Sequence, residues 1–209
     1  MKFDDEFKKA ISNLPPKEKD KLILRYLRKD HILANRLYFE LVSGDSVQGR
    51  RTIMENHIRK EIARATKHYH SAGWLLSDLR SLSGEITEHV KITKDKFGEA
   101  SLNLLMLNEA LSKNSASLNK SLPSKSYKFY IYIIARAFKI LILIKALHED
   151  YHIEFEDGLK ELSDNFGDNN NLMKLAINNG FDPNWLFHAS IPDDIVAIHK
   201  DVKDRGFLK

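Results

Sequence analysis

KSYKFYIYIIARAFKILILIKAL, residues 125–147, is the stretch that decides the fold. It is the most apolar part of the chain and holds no Asp, Glu, Gly or Pro. As a helix it spans about 34 Å at 1.5 Å per residue, enough to run through a small domain. The β-branched and aromatic residues of 129–134 would also suit a strand. Their continuation into ARAFKILILIKAL, with no turn residue between, favours helix. The stretch is long enough to raise a membrane span, but Arg136, Lys139 and Lys145 interrupt it. A cation near a bilayer centre costs about 2.5–3.5 kcal/mol, so a buried core helix is expected.

Downstream, His148-Glu149-Asp150 marks the exit into an acidic tail. Helical spacing covers 155–166 and 172–179, with the polar run GDNNN between them. Gly180 suits the residue after a helix end, Asp182-Pro183 a helix start, and Pro192-Asp193-Asp194 the opening of a last helix. Upstream, 113–126 (KNSASLNKSLPSKS) reads as an exposed, mobile Ser-rich linker. Before it, 95–113 supplies Phe97, Leu102, Leu104, Leu105, Leu107 and Leu111, and 71–90 supplies Trp74, Leu75, Leu79, Leu82, Ile86 and Val90, with Gly84 a soft break. In 46–70 the residues Val47, Met54, Ile58, Ile62, Ala65 and Tyr69 fall within about 80° on a helical wheel, a buried stripe. Residues 3–14, 16–27 and 31–43 read as short helices separated by Pro15-Pro16 and Asp30.

These readings predict an all-α protein: a multi-helix bundle, or a short HEAT-like stack of helical hairpins, around a central hydrophobic helix at about 125–148. One domain over 1–209 is expected, with N-terminal hairpins at 1–112, the linker at 113–126, and the core helix with its acidic tail at 127–209.

Charge is unevenly placed. The net +4 combines +6 over 120–147, which has no acidic residue, with −7 over 148–209. Such a split suits either an acidic partner or two parts of one fold facing each other, and the second is the simpler expectation. Cys is absent, which excludes disulfides, thiolate metal sites and a Cys nucleophile. The N-terminus has no apolar signal region, and a cytoplasmic location is expected.

Three candidate sites follow. On the central helix Lys125, Lys128, Tyr132, Arg136 and Lys139 share one face, and Lys60, Arg64 and Lys67 form a second basic face on 46–70. Lys and Arg with interleaved Tyr suit phosphate contact and base stacking, and equally suit a solvated face with apolar stems. His148, Glu149 and His152 carry an i, i+4 His pair and a Glu-x-x-His spacing, a weak metal candidate with no matching second motif. Leu102–Leu107 (LNLLML) is apolar on more than one side and suits either the core or a dimer face. Trp74 and Trp185 suit core or interface anchors. No G-x-S-x-G and no Gly-rich phosphate loop occur. The functional expectation is a non-catalytic binding or scaffold protein, without cofactor, holding an acidic protein partner or a second copy of itself. A nucleic-acid-binding protein is the alternative, and a metal-dependent enzyme a minor one.

Overall fold

Hydrogen-bonding side chains at helix starts place most of the elements. In the computed structural model, which describes residues 2–209, the Phe7 N–H donates to Asp4 at 2.7 Å and opens α1 (Asp5–Ser12). Pro16 then begins α2 (Pro16–Leu27) at a position where its missing N–H costs nothing. Asp30 caps α3 (His31–Leu41) and Ser46 caps α4 (Val47–Lys67). Ser71 caps α5 (Ala72–Thr93), which runs unbroken through Gly84, and Asp95 caps α6 (Lys96–Asn119). The central stretch is α7 (Pro123–Lys145), followed by a 3-10 segment (Glu149–Phe155) and α8 (Glu156–Gly167). Asn169 caps α9 (Asn170–Asn178), and α10 (Asn184–Phe187) and α11 (Ile195–Asp204) complete the chain. The fold is all-helical, with no strand among the described residues.

The four long helices form a bundle. Helix α4 packs on α5 and α6, α7 packs on the same two, and α5 and α6 also touch. That arrangement puts α4 and α7 at opposite corners. The tail helices α8, α9 and α11 then enclose the remaining sides of α6 and α7. Accordingly α7 buries Tyr130, Ile133, Ile134, Ala137, Phe138, Ile140 and Leu141 completely. Burying one large apolar side chain stabilises by about 1.5–3 kcal/mol relative to leaving it exposed, so this helix is the main cohesive element. Phe138 meets Phe181 edge-on at 4.9 Å and stacks on His199 at 5.0 Å, tying the tail to it.

The structure corrects two expectations and places the residues of two others. The linker at 113–126 is mostly helix: α6 continues to Asn119, and only residues 120–122 turn before Pro123 opens α7. Leu118 lies in the core, and buried Asn114 donates to Thr66 Oγ1 at 3.0 Å and to the Ala110 carbonyl at 2.9 Å. Leu102, Leu104, Met106 and Leu107 are buried in the core, which removes the dimer-face reading of LNLLML. Trp185 packs against Phe181 at 5.5 Å, whereas Trp74 lies outside the core at 68% exposure. The second correction concerns what covers the basic middle, and it belongs to the site itself.

Candidate functional site

The basic seam of α7 divides into an inner and an outer half. In the inner half, Arg136 donates to Asn103 Oδ1 at 3.3 Å and to the Tyr132 hydroxyl at 3.1 Å. The guanidinium sits 5.1 Å from the Tyr132 ring centre, and the Tyr132 hydroxyl donates onward to the Leu79 carbonyl at 3.3 Å. Lys139 pairs with Glu99 at 2.7 Å. The partners therefore come from α5 and α6, not from the acidic tail expected to face this seam. The tail reaches the α7 cations through one ion pair, Lys145 with Asp193 at 2.6 Å. The Lys145 hydrogen bond holds the Asp193 carboxyl below its usual range. The outer half, Lys125 and Lys128, is exposed and unpaired.

The second basic face is intact but partly neutralised. Lys60, Arg64 and Lys67 are all exposed on α4. Arg64 lies 2.8 Å from Glu61 and 3.7 Å from Asp78. Its hydrogen bond lowers the Glu61 carboxyl from the usual value, and Glu61 in turn raises the guanidinium. Because α4 and α7 stand at opposite corners of the bundle, the two basic faces do not merge into one track.

His148, Glu149 and His152 are not assembled as ligands. The segment is a 3-10 turn, whose three-residue repeat spoils the i, i+4 alignment that an α-helix would give the two rings. His148 Nδ1 instead accepts from the Asp150 N–H at 3.4 Å, while His152 Nε2 is buried without a partner. Among the described residues, no three His, Asp or Glu side chains are gathered in a metal-binding cluster.

Two features escape sequence reasoning. The first is a cleft of about 390 Å³ between α4 and α5, lined by Arg50, Ile53, Met54, His57, Glu85, Glu88, His89 and Ile92. His57 Nε2 approaches Glu85 at 2.6 Å, the geometry of a proton-sharing pair. Burial pushes the His89 imidazole below its usual pKa, against the opposing pull of Asp95. No hydroxyl or thiol lines the cleft, so the pair has no nucleophile to activate. These residues lie 28 and more positions apart, and only the α4–α5 packing brings them together.

The second feature is the surface of α1–α3. No residue of these three helices is buried. Phe3 and Phe7 stack on each other at 5.2 Å at the surface, and Ile23, Leu24, Tyr26, Tyr38 and Leu41 are exposed, Leu41 at 78%. The helical spacing of these residues was visible in the sequence, but spacing alone marks a face as apolar without saying that another element covers it. Comparison with known proteins adds nothing to this geometry: no family model, no curated protein and no solved structure matches the chain.

Proposed function

We propose that the chain is a non-catalytic helical binding protein that uses α1–α3 to hold an acidic segment of a protein partner. The observation that carries this reading is the number of exposed apolar side chains on α1–α3, Ile23, Leu24, Tyr38 and Leu41 among them, beside a bundle whose own core is closed, even though α3 itself rests on α5. Solitary exposed apolar residues are ordinary, whereas so many on three short helices point to an interaction surface. The cations alongside supply the sign of the partner. Among the described residues Lys17, Arg25, Arg28 and Lys29 of this region form no ion pair, whereas Lys8, Lys21 and Arg36 pair locally with Asp5, Glu18 and Glu40. An amphipathic segment with apolar anchors flanked by Asp and Glu fits such a surface.

A photo-crosslinking amino acid at Tyr38, compared with one at exposed Arg80 of α5, tests the proposal. Crosslinking in the native cell should give one discrete partner from position 38 and none from position 80, and the partner peptide should be acidic. Equal yields from both positions, or a basic partner peptide, refute it. A crosslinked species of twice the chain mass would replace the acidic partner with a second copy. The nucleic-acid reading has less support, because its two basic faces are separate and Arg136 and Lys139 are already engaged.

A further inference from the structure

A cleft at the start of the central helix gathers lysines and excludes carboxylates. It lies where the first turns of α5 and α7 meet α9, and its volume is about 750 Å³, within the size range of small-molecule sites. Lys125 and Lys128 come from α7 and Lys174 from α9, and no Asp or Glu is among the lining residues. Among the described residues none of the three lysines is ion-paired, in contrast to Lys113, Lys139 and Lys145, which each hold a carboxylate. The floor is apolar: Phe129 and Leu76 are buried core residues whose outer surfaces reach the cleft, with Leu175 beside them. Tyr127 is half-exposed at the edge, and Asn171 and Asn178 add hydrogen-bonding amides.

Three cations held near one another without a counter-charge repel, and an anion among them relieves that repulsion. The start of α7 adds to the same field, because it carries no side-chain cap and its dipole points positive end outward. An apolar floor beneath the cations requires the anion to carry an apolar or aromatic body. A bare inorganic ion would leave the floor wet. From these features we infer that this cleft binds a phosphate monoester with an apolar or aromatic body, the phosphate held by Lys125, Lys128 and Lys174 and the body seated on Phe129, Leu76 and Leu175. None of the lining residues belongs to α1–α3, so the site is independent of the partner surface proposed above.

Two probes distinguish the sources of such a ligand: N-methylanthraniloyl-AMP for an aromatic body and octyl phosphate for an alkyl one. Titration of the full chain at low salt should give saturable binding of at least one, with Kd of about 100 μM or tighter. The tighter probe identifies the body. Lys128→Ala with Lys174→Ala should weaken binding about tenfold or more, and Lys128→Arg with Lys174→Arg should largely preserve it. Helicity by circular dichroism verifies that each variant is folded. The inference is overturned if neither probe binds folded protein at about 1 mM, or if the double alanine variant binds as tightly as the parent. Binding of oligothymidylate that neither probe displaces also overturns it, in favour of an extended nucleic-acid surface.

Discussion

Asp95 does two jobs with one carboxylate. Oδ1 accepts the Gly98 N–H at 2.7 Å and so caps α6, while both oxygens receive Arg51 from α4, each at 2.7 Å. Its side chain is only 3% exposed, and the guanidinium stacks 4.5 Å from the Phe97 ring centre. Gly98 lets the carboxylate approach this closely, since a Cβ there would collide with it. Asp95→Ala removes the cap and strands a partly buried cation, so urea denaturation should show a loss of about 3–5 kcal/mol. Arg51→Met together with Asp95→Leu should cost less than the two single changes added, because the unpaired charge is removed with its partner. Titration at His89 and His199 gives a second expectation at this scale. Burial lowers both imidazole pKa values in the folded chain, with Lys203 contributing at His199. The unfolded chain then binds more protons than the folded one once the pH falls below the ordinary histidine value of about 6.5. Stability is therefore complete above that pH and declines as the medium is acidified through the lowered folded-state values. The melting temperature should fall from pH 7.5 to pH 5.5, and His89→Leu should flatten that dependence.

At the scale of the element, the central helix and the caps were legible, and the second half of α6 was not. Residues 125–147 announced α7 through hydrophobicity and the lack of breakers, and Asp30 began a helix as its side-chain chemistry predicts. Residues 113–119 have the composition of a linker, but composition cannot show that their polar groups have partners inside the fold. Asn119 accepts from Asn169 at 2.6 Å, Asn169 donates also to the Tyr130 hydroxyl at 2.9 Å, and that hydroxyl donates to the Leu118 carbonyl at 3.2 Å. Asn169 further accepts the Leu172 N–H at 2.8 Å and caps α9. Buried polar groups so paired are stable, and these pairs join positions 12 to 50 residues apart that no local pattern reveals. Hydrogen exchange should find the amides of 114–119 protected like those of 104–111, whereas a mobile linker would exchange at once. Asn169→Ala should cost about 2–3 kcal/mol, the cap together with the hydrogen bonds lost to the Tyr130 hydroxyl and Asn119.

The whole molecule separates a closed interior from an uncovered N-terminal surface, and that contrast decides which residues hold the fold. The basic middle and acidic tail implied mutual neutralisation, yet most inner cations of α7 are matched by α6, and the tail contributes chiefly apolar residues such as Phe155, Phe166 and Phe181. Charge sums along a sequence locate ions without assigning partners, so Lys125 and Lys128 could be read as a basic face but their meeting with Lys174 in one cleft could not. The α1–α3 surface gives the sharpest test at this scale. Ile23, Tyr38 and Leu41 are each more than half exposed, so their replacement opens no cavity. Combined Ile23→Ser, Tyr38→Ser and Leu41→Ser should leave chemical stability within about 1 kcal/mol of the parent, as surface changes ordinarily do. Phe138→Ala, in the fully buried centre of α7, should lose about 3–5 kcal/mol in the same assay. If α1–α3 form a docking surface, the triple variant should also abolish crosslinking to the acidic partner while remaining folded. A triple variant that loses several kcal/mol would mean that these side chains stabilise the fold itself, and the interface would have to be sought elsewhere.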